Sequence, residues 1–80
     1  MENAKIEKII IGLITDLNSL RLKYLEDEKM LHRIDMLKSD LIFTNEVTIR
    51  VPKLNKQEKS KVLEIININR EFISILKDNN

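Results

Sequence analysis

Cysteine and tryptophan are absent from this chain, and glycine, proline, histidine and tyrosine each occur once. Without Cys there is neither a disulfide framework nor a thiol nucleophile, and one His leaves no zinc-ligand spacing to assemble. A single Gly rules out a glycine-rich phosphate loop. Long hydrophobic runs are also missing: the stretch from Ile9 to Ile14, which includes Gly12, lies between Lys8 and Asp16. It falls far short of the roughly 20 apolar residues that a membrane helix needs, and no small-residue cleavage site follows it. Nor is there an excess of one charge. Lys and Arg total 14 against 13 Asp and Glu, a net charge of +1, so no global field draws the chain to nucleic acid or anionic lipid. A Cys-free chain fits a reducing compartment, and a cytoplasmic location is the expectation.

Catalytic chemistry has little to build on. The lone His32 and the four Ser offer no nucleophile and base arrangement, so a non-enzymatic role with no cofactor is expected. The acidic run Glu26, Asp27 and Glu28 does not make a metal site, because consecutive helical residues point about 100° apart and do not converge on one ion. No metal ligands are assigned.

What the chain does have is apolar periodicity within a highly charged sequence: 42% hydrophobic and 34% charged residues. That is too apolar for intrinsic disorder. Ile, Lys and Asn are abundant and Ala occurs once, which suggests an AT-rich genome such as that of a low-GC bacterium or a phage. From Ile6 onward apolar residues recur in steps of four and three: Ile6, Ile10, Leu13, Leu17, Leu20, Tyr24, Leu31, Ile34 and Leu41. This is a heptad seam, predicting one long helix over about residues 3–40. Asp27 and Lys38 occupy seam positions, and an antiparallel pairing of two such helices would set Asp27 of one against Lys38 of the other. Thr44 to Pro52 changes period, with Val47, Ile49 and Val51 alternating with Glu46, Thr48 and Arg50, which predicts an extended or β segment over residues 44–52. Asn55 with Glu58 reads as a capping box that opens a second helix over about 55–78. Its core side would carry Val62, Ile65, Ile66, Phe72, Ile73 and Leu76. Asn67 and Asn69 interrupt that run, as a polar core residue of one helix or as a turn between two.

The expected fold is therefore mainly α and a single domain over residues 1–80: a long heptad helix, a short extended segment and a C-terminal helix. A helix of nearly forty residues would be about 55 to 60 Å long and too long for the second helix to cover. The seam residues are accordingly expected to serve homo-oligomerisation, as a dimer or higher bundle. The leading functional expectation is a protein–protein interaction module, a small regulator, adaptor or inhibitor with an unidentified protein partner.

A second expectation comes from Val47, Thr48, Ile49, Arg50, Val51 and Pro52 followed by a helix. This stretch resembles the strand and first helix of ribbon-helix-helix DNA-binding proteins. The resemblance implies a transcriptional repressor whose paired strands enter the major groove, with Thr48 and Arg50 facing bases and Lys53 among the nearby basic residues. The long N-terminal helix would then be a dimerisation extension.

Overall fold

Three helices make up nearly all of the computed structural model, which describes residues 2–50 and 53–78. They are α1 (Glu2–Lys23), α2 (Glu28–Arg50) and α3 (Lys56–Asp78). Contacts at the helix ends set the directions. Asn3 Nδ2 donates to the Thr48 carbonyl at 3.4 Å, and Lys23 Nζ donates to the Leu76 carbonyl at 3.0 Å. Hence α2 runs antiparallel to α1 and α3, in a bundle of 41 × 20 × 18 Å. No helix of the described residues is long and apolar enough to cross a membrane.

The single helix expected over 3–40 is instead two helices, and Asp27 is where the chain divides. Its Oδ1 accepts a hydrogen bond from Met30 N at 3.1 Å, and its carbonyl accepts the Leu31 N–H at 2.9 Å. Asp27 is thus the N-cap of α2, satisfying a first-turn donor that has no carbonyl partner within the helix. Glu28 adds a negative charge beside the helix N-terminus, and Arg21 and Lys23 sit in the last turn of α1, each where the helix dipole favours it. The polar seam residue is therefore a helix start, and the Asp27–Lys38 pairing between chains loses its basis. Asp27→Ala is expected to cost about 1 kcal/mol and Asp27→Asn much less, read as shifts in the urea midpoint. In an unbroken helix Ala would be stabilising at this position, so the sign of the change decides.

The extended segment expected over 44–52 is also corrected. Residues 44 to 50 continue α2, and the described residues contain no strand; Val51 and Pro52 lie outside the described residues. Alternation of Val47 and Ile49 is real in the sequence, but the buried spacing here is Leu41, Thr44, Thr48, a helical one. Thr can take those places because its hydroxyl bonds back one turn. Thr44 Oγ1 donates to the Asp40 carbonyl at 2.7 Å and Thr48 Oγ1 to the Thr44 carbonyl at 2.8 Å.

The third helix follows its sequence signals. Asn55 Oδ1 accepts from Glu58 N at 2.8 Å while Glu58 Oε1 accepts from Asn55 N at 3.0 Å, a reciprocal capping box. The helix then runs unbroken through Asn67 to Asn69, with Asn69 as a buried polar residue.

Ile6, Ile10, Leu13, Leu17 and Leu20 of α1 meet Ile34 and Leu41 of α2 and Val62, Ile66, Ile73 and Leu76 of α3, and Leu54 closes one end. Burying each such side chain stabilises the fold by roughly 1.5–3 kcal/mol. By folding back at Asp27, one chain covers its own seam, which the expectation of interlocked long helices had assigned to a second chain.

Candidate interaction surface

Residues expected in the oligomerisation seam are placed inside the chain. Ile6, Ile10, Leu13, Leu17, Leu20, Ile34 and Leu41 are buried, and Tyr24 and Leu31 are half-buried at the edge. Of the second-helix core, Val62, Ile66, Ile73 and Leu76 are buried, whereas Ile65 and Phe72 are only half-buried. The residues singled out for DNA contact do not form a reading face. Thr48 is fully buried with its hydroxyl spent on Thr44, Arg50 ends α2, and Lys53 lies exposed in the connection. No strand occurs among the described residues, so no ribbon there presents Thr48 and Arg50 to a groove.

Polar contacts fix which side of each helix faces which neighbour. Arg21 grips Asp35 through two bonds, Nε to Oδ1 at 2.7 Å and Nη2 to Oδ2 at 3.0 Å, so the Asp35 side of α2 faces α1. Lys77 reaches Asp16 at 3.6 Å, so the Lys77 side of α3 also faces α1. The Arg21 bonds hold the Asp35 carboxyl below its ordinary value; partial burial opposes this, and Arg21, Lys38 and His32 assist by charge. With the folded-state value lowered, the stability it adds is present above the ordinary Asp range, near about pH 4, and is lost as pH falls through the depressed value. Thermal melts should show the wild type losing slightly more stability than Asp35→Asn on acidification, a small effect because both side chains are partly exposed.

The sides of α2 and α3 turned away from α1 carry exposed large apolar side chains. On α3, Ile65, Ile68, Phe72 and Ile75 recur in steps of three and four beside the core line, and Ile68 and Ile75 are 51% and 55% exposed. Together with the core positions they widen the apolar side of α3 to about half the helix circumference. On α2, Lys29, Arg33, Met36, Asp40, Phe43 and Val47 form the matching outward stripe, with Met36 57% and Phe43 67% exposed. A shallow groove along it mixes apolar Met30, Met36 and Leu37 with charged Lys29, Arg33 and Asp40. This α2–α3 face was not named from the sequence. The signal was available in the width of the Val62 to Leu76 apolar run, which exceeds one core stripe.

Two buried amide oxygens, Asn45 Oδ1 and Asn69 Oδ1, have no hydrogen-bond partner among the described residues. His, Asp and Glu side chains of the described residues form no cluster of metal-binding geometry. Compared with models of protein families, with curated proteins and with solved structures, the chain matches none.

Proposed function

We propose that this protein is a non-enzymatic protein-interaction module: a small three-helix regulator, adaptor or inhibitor that works as a homo-oligomer in the cytoplasm and contacts a protein target. The observation that carries this reading is the second apolar stripe of α3, Ile65, Ile68, Phe72 and Ile75, lying beside exposed Met36 and Phe43. Scattered exposed apolar residues are ordinary, but side chains of this size aligned on one face of a small bundle are the mark of a surface meant to be covered. On the opposite side of α2, Ile42 and Ile49 are also exposed, as are Ile11 and Leu22 on α1, and these are available to a different protein while the α2–α3 face is occupied. Charge supports protein over nucleic acid as partner, since the net charge is +1 and the stripe itself is apolar.

Sedimentation equilibrium tests the self-association. The average mass should rise with concentration from the 9.5 kDa of one chain toward twice that value. Ile68→Ser combined with Ile75→Ser should keep the helical circular dichroism and hold the mass at that of one chain. A wild type that stays at the single-chain mass up to millimolar concentration contradicts the homo-oligomeric reading.

A further inference from the structure

We infer that the α2–α3 face pairs with the same face of a second copy about a two-fold axis crossing the helices at Met36, so that α2 meets α2 and α3 meets α3, each antiparallel. This rests on the homo-oligomeric reading and specifies its interface. Two registers, set by different residues on different helices, coincide at one axis. On α3, antiparallel pairing matches apolar residues completely when Ile65 faces Ile75 and Ile68 faces Phe72, which centres the axis on residue 70. On α2, the pairing that sets Arg33 near Asp40 of the other copy also sets Met36 against Met36 and Lys29 over the Phe43 ring, which centres the axis on Met36. Contacts through α1 give the heights: Asn3 meets Thr48, Arg21 meets Asp35 and Lys23 meets Leu76, which puts Met36 of α2 and residue 70 of α3 both alongside the stretch of α1 around Leu17. The two centres therefore share one height, as a single axis requires.

Charges at the rim agree. The Arg33–Asp40 pair is formed twice by symmetry. One contact is unfavourable: Glu71 lies beside the axis and faces its own copy. A two-fold axis along the bundle, with α2 on α3 of the other copy, would instead set Glu71 against Arg33 and Asp40 against Glu64. Glu71 thus distinguishes the two arrangements.

The test is a charge-reversal cycle on the full chain by sedimentation equilibrium at low salt, with circular dichroism confirming that each variant is folded. Arg33→Asp and Asp40→Arg should each weaken association about tenfold, since symmetry counts each change twice, and the double variant should return to within about threefold of the wild type. Glu71→Gln should tighten association severalfold. Absence of rescue, or weaker association of Glu71→Gln, overturns the interface while leaving the homo-oligomeric reading in place. A chain that never associates overturns both.

Discussion

Leu41→Ala is expected to remove about 2–5 kcal/mol of folding free energy, a large part of the 5–15 kcal/mol that holds a typical domain together. Leu41 is fully buried on α2, in the core that joins all three helices. The side chain loses its transfer free energy and leaves a cavity that rigid neighbours on two other helices cannot fill. Leu31→Ala, a seam neighbour of equal size that is only half-buried, should cost clearly less. Urea denaturation followed by circular dichroism gives both values from the midpoints, provided the slopes agree. Equal losses at the two positions would restore the continuous heptad seam, in which Leu31 and Leu41 are equivalent, and would contradict the fold-back.

Asn69→Leu should change stability in the other direction, raising it by about 1–3 kcal/mol. Asn69 is 1% exposed in the middle of the α3 core line. Its Nδ2 donates to the Ile65 carbonyl at 2.9 Å, but its Oδ1 has no partner. Removing the amide strands nothing, because the Ile65 carbonyl lies one turn back and accepts the helical N–H of residue 69 in any case. Leu has nearly the same volume, so the substitution exchanges an unpaired carbonyl for apolar contact. A polar residue retained in such a place is best attested as a device that selects one packing over others. The Asn69→Leu variant should therefore be more stable yet less specific in its association, populating species beyond the dimer in the ultracentrifuge. A loss of stability instead would mean that Asn69 Oδ1 is satisfied in solution.

Much of α1 and α3 was legible because their signals are local. The four–three spacing from Ile6 to Leu20 coincides with the face of α1 that is buried, and the Asn55 and Glu58 pair marks the start of α3. The break at Asp27 is hidden in the sequence for a geometric reason. The turn over Tyr24 to Glu26 contains neither Gly nor Pro, and it happens to preserve heptad phase, so Leu31, Ile34 and Leu41 seem to continue the seam. In the bundle α2 turns a somewhat different face inward, through Leu41, Thr44 and Thr48. The expectation of a strand over 44–52 rests on Val47, Ile49 and Val51. β-branched side chains in alternation favour a strand, but tertiary packing overrides a propensity worth tenths of a kcal/mol per residue once Thr hydroxyls can bond back along the helix. The interaction face was the least legible part, because it depends on which sides of α2 and α3 turn away from α1. The Arg21–Asp35 and Asp16–Lys77 contacts show which sides those are.

The fold-back at Asp27 underlies every later step, since it keeps the heptad residues inside one chain and leaves the α2–α3 face to pair. It is tested most directly by the distance between spin labels on Lys8→Cys and Glu46→Cys, both exposed positions in a chain with no other Cys. Labelled chain diluted tenfold into unlabelled chain reports the distance within one molecule. Packed antiparallel helices put the labels within about 25 Å of each other, whereas an unbroken helix over the same residues would hold them about 57 Å apart. The short distance is the result expected, and a population at the long one would contradict the fold and the interface drawn from it.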